Sequence, residues 1–394
     1  MFAGRDRYAL KRLFLLFFFL WSLALLGIGS WSSTCGRSST RILKLVQTGT
    51  PADQALRESL TQSRHFTAPA ERRGISQAVF THFRWWRWLA PKDSLQKQLA
   101  AALELQARFA KNPASIKPEA LAARAVPDWL KAEMDAVPVD MLRQWQREPA
   151  LWIRAKQGSA ESVAKRLGNC VPTPHSPDAF QYTGIKDLYR TPEFQGGEFE
   201  IQDLASQLVG LACAPKAGET WWDACAGEGG KTMHLSDLMQ NKGLIWASDR
   251  SERRLAKLKE RAARAKAFNF RAAPWDGGAA LPTPTRFDGV LLDAPCSGVG
   301  TWQRNPHARW TTTPKDVAEL AAVQTRLLNH AAGALKPGGR LVYAVCTLTR
   351  AETTAAAAAF TAAHPEFEAG SVQTLWPQDL NANGMFIATW RRKK

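Results

Sequence analysis

No Cys-x-x-Cys pair occurs in this chain, and its six cysteines, at 35, 170, 213, 225, 296 and 346, follow no regular spacing. That pattern excludes a disulfide scaffold, which belongs to short secreted chains, and the close ligand pairs of a structural zinc site. The seven histidines are equally scattered, so no metal site is expected, and no internal repeat is found. Free thiols point to a reducing compartment. Acids are scarce relative to bases: 35 Asp and Glu stand against 52 Lys and Arg, a formal net charge of +17. So basic a balance favours a polyanionic partner, nucleic acid or an anionic membrane surface. Part of it, seven basic residues against Asp6, lies in the first 50 positions. With 22% charged and 45% hydrophobic residues, the 394-residue chain is neither disordered nor fibrous. Its length suits two or three domains.

One long apolar run is present, Leu13 to Gly29, behind Arg5, Arg7, Lys11 and Arg12. It has the shape of a signal peptide or a short signal anchor. It is a little short of the roughly 20 residues a comfortable span needs. The Ser-Trp-Ser-Ser-Thr-Cys segment behind it is a poor site for cleavage or lipid attachment. Three readings stay open: an anchor, a cleaved signal, or a start codon placed too early. The rest of the chain favours the last, and with it a cytoplasmic protein; a membrane-attached protein is the lesser reading and rests wholly on Leu13–Gly29.

From about Pro51 to Lys111 the pattern is helical: Leu56 and Leu60 share a face, and Ile75, Val79, Phe83 and Trp86 recur at spacings of three and four. Within it, Phe83-Arg-Trp-Trp-Arg-Trp88 interleaves aromatics with arginines. The plain expectation is tryptophans packed inward and arginines solvated; the alternative is a stacking, phosphate-contacting surface. A further helical stretch surrounds Trp129 to Trp145, and Pro149 to Phe199 is mixed, with short strand-like pieces. From Gln202 onward Thr220–Ala226, Leu244–Asp249, Phe270–Trp275, Phe287–Ala294 and Arg340–Thr347 read as strands. Helices lie between them, notably Ser251–Ala267 and Pro314–Leu335, and Ala351–Ala363 makes good helix. Alternation of this kind predicts parallel βαβ units in a doubly wound sheet.

Asp223-Ala-Cys-Ala-Gly-Glu-Gly-Gly-Lys-Thr232 follows a predicted strand and opens a helix, the context of a glycine-rich nucleotide loop. Gly227, Gly229 and Gly230 permit tight turning and close approach of a ligand. Position 225 is cysteine where a P-loop needs glycine, and GxGxxG is absent, so S-adenosylmethionine is favoured over other nucleotides. Asp249 ends the next strand, where a carboxylate can take both ribose hydroxyls. Asp276 is either an acceptor for an adenine amine or a turn aspartate before Gly277-Gly278. Two more strands end in Leu292-Asp293-Ala-Pro-Cys296-Ser-Gly and Ala344-Val-Cys346-Thr-Leu. Ligands bind beyond the carboxyl ends of parallel strands, so both cysteines and Asp293 converge on the edge that carries the glycine loop.

These motifs resemble those of the RNA 5-methylcytosine methyltransferases that include the bacterial RsmB and eukaryotic NSUN proteins, over roughly Thr48 to the C-terminus. Asp-Ala-Cys-Ala-Gly-Glu-Gly-Gly-Lys-Thr is similar to the family's cofactor loop, and the segments around Cys296 and Cys346 to its two cysteine motifs. Glu200–Ser206 resembles the lead into its catalytic domain, and Arg304-Asn-Pro306 to Trp310 its RNPD-x-[KR]-W stretch. Gly227-Glu228 stands where Ala-Pro is usual, His307 where Asp is usual and Lys156 where Asn is usual, marks of a divergent member.

The resemblance implies an α/β fold: a Rossmann-like doubly wound methyltransferase domain at 201–394, a small α/β RNA-binding subdomain at 141–200, and an all-α NusB-like RNA-binding domain at 48–140. An apolar leader would occupy 1–47. It further implies methyl transfer from S-adenosylmethionine to carbon 5 of cytosine in RNA, 16S ribosomal RNA before transfer RNA, by a monomer. A catalytically lapsed ribosome-assembly factor is the alternative from another class. Cys346 is implied as nucleophile, Cys296 in product release, Asp293 on the base and Lys231 beside it. Cys225, Ala226, Gly227, Glu228, Gly229, Gly230, Lys231, Asp249, Asp276 and Asp293 would hold the cofactor. DNA cytosine-5 methyltransferases use the Pro-Cys cysteine and carry Glu-Asn-Val; that tripeptide is absent here, and the second cysteine is present.

Overall fold

The computed structural model describes residues 33–62 and 69–394, so the apolar run Leu13–Gly29 lies outside the described residues. Among the described residues no helix is long and apolar enough to cross a membrane. The chain divides into two compact units. One contains the described residues up to Asp128, Pro138–Glu148 and Asn305–Thr311; the other contains Trp129–Val137, Pro149–Arg304 and Thr312–Lys394.

The first unit is helical. Its core joins Ile42, Leu43 and Val46 of α1 (Ser33–Gln47), Ala55 and Leu56 of α2 (Ala52–Gln62), Ile75, Val79 and Phe83 of α3 (Pro69–Arg84), and Leu99 and Leu103 of α4 (Leu95–Lys111). Residues 33–47, expected in the leader, are therefore an amphipathic helix of this unit. Apolar residues three and four apart give them a buried face, which a leader does not need. The expected boundary at 140/141 falls inside α5 (Val139–Trp145).

The aromatic and arginine segment also departs from expectation. α3 stops at Arg84, and Trp86–Trp88 tightens into one 3₁₀ turn. Trp86 is left 40% exposed, while Trp85 is buried and donates Nε1–H to Gln106 Oε1 at 2.9 Å. Arg84 is buried rather than solvated; burial pulls its guanidinium down to about 10, against the nearby charge of Glu148. Arg309, from the 305–311 segment, is buried as well. Its Nη1 donates to the Ala125 carbonyl and Gln146 Oε1, both at 2.8 Å, and Nη2 to the Trp145 carbonyl at 3.0 Å. Burial and the charge of Arg84 bring it down to about 9. Three acceptors converge on this one side chain, two of them main-chain carbonyls of residues far away in sequence. Arg309→Ala leaves all three without their donor; we expect it to destabilise the chain by about 3 kcal/mol, read by urea unfolding with tryptophan fluorescence.

The second unit holds two sheets. The smaller is antiparallel, built from β1 (Leu151–Ala155), β2 (Cys170–Pro172), β3 (Ala179–Tyr182) and β4 (Phe199–Ile201) in the order β2-β3-β1-β4. Helix α6 (Ala160–Leu167) covers it, with Ile153, Val163, Leu167, Phe180 and Phe199 in the shared core. After α7 (Leu204–Cys213) come β5 (Thr220–Asp223), α8 (Gly230–Leu238), β6 (Leu244–Asp249), α9 (Glu252–Ala265), β7 (Phe270–Pro274), β8 (Phe287–Asp293), α10 (Pro314–Ala332), β9 (Leu335–Val345), α11 (Thr354–Ala363), β10 (Phe367–Leu375) and β11 (Met385–Arg392). The larger sheet has the order β10-β11-β9-β8-β5-β6-β7.

Strands β9, β8, β5, β6 and β7 are mutually parallel, as the alternation predicts, and the fold is the expected doubly wound one. The unforeseen part is β11, antiparallel to β9, and β10, antiparallel to β11. Central β8 is buried at Phe287 and from Gly289 to Leu292 because both its faces are covered. From β5 the chain steps outward to β6 and β7 on one side, then returns to β8 and β9 on the other. The strand order therefore reverses between β5 and β8, and their carboxyl ends flank the crevice where such sheets bind ligands.

Candidate active site

The loop after β5 is shaped by its glycines in two different ways. Gly229, at φ +85°, caps α8, and a Cβ there would lie 2.5 Å from Leu258 Cγ and 2.8 Å from Met233 Cε. It is a packing glycine. Gly227, at φ +56°, would point a Cβ into open space, with nothing within 4 Å. Its backbone N–H donates to Asp249 Oδ2 at 3.0 Å, while Asp249 Oδ1 accepts from Ser251 N–H at 2.8 Å. Asp249 is thus buried at the end of β6 and tied to the loop. An open glycine beside an anchored carboxylate fits the nucleoside cofactor expected for this loop. Ala226 is buried beneath it, and Glu228 is exposed, its carbonyl accepting from Arg261 Nη1 at 3.1 Å. Gly230 opens α8. Burial pushes the Cys225 thiol far up, and the charges of Asp223 and Asp293 push it further. Asp276 lies exposed beyond β7 on the same sheet edge; its Oδ1 accepts from Gly278 N–H at 2.8 Å, the turn arrangement.

Lys231, in the first turn of α8, reaches across to the end of β8 and donates from Nζ to Asp293 Oδ2 at 2.7 Å. Burial alone would lower this ammonium; the charge and hydrogen bond of Asp293, with Cys346 and Asp223 behind them, outweigh it and hold Lys231 above its ordinary value. Cys296 and Cys346, 50 positions apart, bring their sulfurs to 3.3 Å as free thiols. The pair is polarised. Cys346 is lowered, first by the hydrogen bond from Cys296 and then by Lys231 and Arg304, against burial and Asp293. Cys296 is raised well above a normal thiol by the same hydrogen bond and by burial. The arrangement can therefore present a thiolate at Cys346 with a protonated thiol beside it.

Three residues here were not among the expected site residues. Asp223, buried at the end of β5, accepts from Thr232 Oγ1 at 2.7 Å, while its Oδ1 has no hydrogen-bond partner among the described residues. Burial raises it to about 7 despite the Thr232 bond. Arg304 is exposed and lends positive charge toward Cys346. Glu352 is a buried carboxylate bonded to both cysteine loops. Asp223 opens the loop motif, and its place at a strand end was the available signal. Among the described residues no cluster of side chains could hold a metal ion.

Residues 210–391 match the family model described as 16S rRNA methyltransferase RsmB/F. Over these residues the chain is similar to that family. The chain is also 38% identical over 220 residues to the probable ribosomal RNA small subunit methyltransferase B of Bacillus subtilis (strain 168), covering 51% of this chain and 49% of that protein. The chain thus spans about half the length of the curated relatives it matches. Among solved structures, PH0851 is similar at a TM-score of 0.76 and 22% identity, covering 93% of this chain and 99% of that one, a likeness of fold. A methyltransferase homolog protein from Pyrococcus horikoshii matches at a TM-score of 0.56 and 26% identity, over 64% of this chain and 90% of that one. The RsmB/F match contains the glycine loop, the Lys231–Asp293 pair and both cysteines.

Proposed function

We propose that this chain methylates carbon 5 of a cytosine in RNA, with small-subunit ribosomal RNA as the substrate and S-adenosylmethionine as the methyl donor. The observation that carries this is the polarised thiol pair, 3.3 Å apart, beyond the carboxyl ends of β8 and β9 within the residues that match the RsmB/F model. Carbon 5 of cytosine is too poor a nucleophile by itself. Addition of the Cys346 thiolate to carbon 6 forms an S–C bond, moves the 5,6 π pair toward ring nitrogen 3, which takes up a proton, and leaves an enamine nucleophilic at carbon 5. Bound S-adenosylmethionine supplies the electrophilic methyl group; the 227–230 loop, Asp249 and Asp276 would hold it.

Asp293 keeps Oδ1 to accept from the exocyclic amine, because Lys231 occupies Oδ2. Lys231, held cationic, compensates the negative charge pushed onto the ring as sulfur adds. With S-adenosylhomocysteine released, a solvent base takes the carbon 5 proton, the C–H pair re-forms the 5,6 double bond as the S–C bond breaks back to the Cys346 thiolate, and ring nitrogen 3 gives up its proton; Cys296 is assigned to this release. The target base must be unpaired or flipped out, since sulfur attacks its face.

We assign RNA binding to the helical unit as a NusB-like domain, and cytoplasmic residence to the protein that needs both substrates. Arg84 is buried and cannot contact RNA, so the exposed pair is Trp86 and Arg87. Trp86→Ala is expected to weaken RNA binding by about tenfold, the loss of one stacked base, measured by filter binding with the full chain. The function itself is tested with methyl-labelled S-adenosylmethionine and total RNA from cells lacking this gene. Label in 5-methylcytosine of small-subunit RNA supports the proposal, label in transfer RNA moves the substrate class, and no label in any RNA overturns it in favour of an assembly factor.

A further inference from the structure

We infer that Glu352 is the positioning residue that holds the two cysteine loops in register and keeps Cys296 aimed at Cys346. This deepens the function proposed above and rests on it for the role of Cys346 as nucleophile. The two sulfurs sit on separate loops, one leaving β8 and the other leaving β9. Thiols are weak hydrogen-bonding groups, so a 3.3 Å contact between two loops does not maintain itself. Something stronger must set it.

Glu352 lies just past β9, at 0% exposure, and forms no ion pair among the described residues. Its Oε1 accepts from the backbone N–H of Ser297 at 2.8 Å and from Gln324 Nε2 at 2.9 Å. Its Oε2 accepts from the Thr349 hydroxyl at 2.7 Å, the Thr347 hydroxyl at 3.1 Å and, more closely, the Ser297 hydroxyl. Ser297 is the neighbour of Cys296, and Thr347 is the neighbour of Cys346. Their two hydroxyls also meet directly at 2.9 Å. One carboxylate therefore grips the residue adjoining each sulfur. Gln324 of α10 fixes the clamp to a third element by donating to the Pro295 carbonyl at 2.9 Å, and Tyr343 of β9 donates from its hydroxyl toward the Glu352 carbonyl at 2.7 Å.

An ionised carboxylate only accepts, and every group around it here can donate. A glutamine of the same size replaces one oxygen with an N–H₂ donor. On the Oε1 side this would face two obligate donors; on the Oε2 side it would face hydroxyls that must turn around to accept it. Glu352→Gln therefore keeps the volume and breaks the pattern, loosening the loops without removing either sulfur. The charged groups that act on Cys346 are Asp293, Lys231 and Arg304, with the Cys296 thiol hydrogen-bonded to it, and the Glu352 charge itself disfavours ionisation of the thiol pair through Cys296. Removal of the Glu352 charge by itself favours a thiolate, so a rise at Cys346 reports the clamp and not the lost charge.

The experiment uses the full chain without RNA or cofactor and follows iodoacetamide modification of the Cys346 peptide by mass spectrometry as pH is varied. In Glu352→Gln the midpoint for Cys346 is expected to rise by about one pH unit, tenfold less thiolate at a fixed pH. Cys170, in the small sheet, serves as reference, and its profile should stay in place. Binding of S-adenosylhomocysteine, read by calorimetry, should change by less than about twofold, a limit of roughly 0.4 kcal/mol. A folded Glu352→Gln protein with the wild-type Cys346 profile overturns the inference, as does a shift shared equally by Cys170. If Glu352→Gln fails to fold, Ser297→Ala, which removes one hydroxyl of the clamp, carries the test: a rise confined to Cys346 supports it and an unchanged profile overturns it. Since no RNA is needed, a wild-type chain that transfers no methyl group defeats the proposed function while leaving this result readable.

Discussion

Cys346→Ala is expected to reduce methyl transfer to RNA by about 10⁴-fold or more, because no other group can form the covalent bond that makes carbon 5 nucleophilic. The alternatives within reach are unsuited to it. Cys225 is raised by burial and by three carboxylates, and Cys296 is raised by its hydrogen bond to Cys346 and by burial, so it keeps its proton. Cys296→Ala is expected to behave differently: it should still form the S–C bond and then stall, leaving a protein–RNA adduct that survives a denaturing gel. It should also move the pH dependence of that bond-forming step. Cys346 is lowered chiefly by the hydrogen bond from Cys296, so the thiolate forms at lower pH in the wild type than an ordinary thiol would allow. Without Cys296 the rise of adduct formation with pH is displaced upward. An adduct that persists in Cys346→Ala and vanishes in Cys296→Ala would reverse the two roles.

The parts of this site that can be read from sequence are those whose chemistry is local. A glycine loop between a strand and a helix, and two cysteines just past apolar strands, need only the alternation of elements to be placed on one edge. Strand β8 was legible because Phe287–Asp293 is apolar enough to be buried on both faces, and α9 because Leu255, Leu258, Ala262 and Ala265 mark one buried stripe. The remainder was fixed by partners distant in sequence. Glu352 sits ahead of an alanine-rich helix and looks like a solvated residue, until donors from positions 297, 324, 347 and 349 are brought around it. Arg84 and Arg309 look like surface charge for the same reason; the Arg309 cage consists of two main-chain carbonyls and Gln146, none of which announces itself in a pattern. Strand β10 is largely exposed between its two end residues, so it carries no buried face to detect. His307, which departs from the family pattern, packs edge-on against Phe83 with ring centroids 4.6 Å apart, which gives the substitution a local structural role.

The Lys231–Asp293 pair yields the second large effect, and its two halves can be told apart. Lys231→Met and Asp293→Asn are each expected to lower methyl transfer by about 10²–10³-fold, the usual cost of removing one preorganised electrostatic group from an active site. Their effects on Cys346 have opposite signs. Lys231 favours the thiolate and Asp293 disfavours it. Lys231→Met should therefore raise the pH at which Cys346 becomes alkylated, since the positive charge is gone and the carboxylate stays. Asp293→Asn should lower that pH, making the sulfur more reactive toward iodoacetamide while methyl transfer falls, because the amide has a single acceptor oxygen for two donors, Lys231 Nζ and the amine of the base. A protein in which the nucleophile is more ionised yet the enzyme is slower shows that Asp293 acts on the base and not on the thiol. Both midpoints moving upward would instead mean that either substitution simply disorders the crevice, and that the 2.7 Å bond between Nζ and Oδ2 serves packing alone.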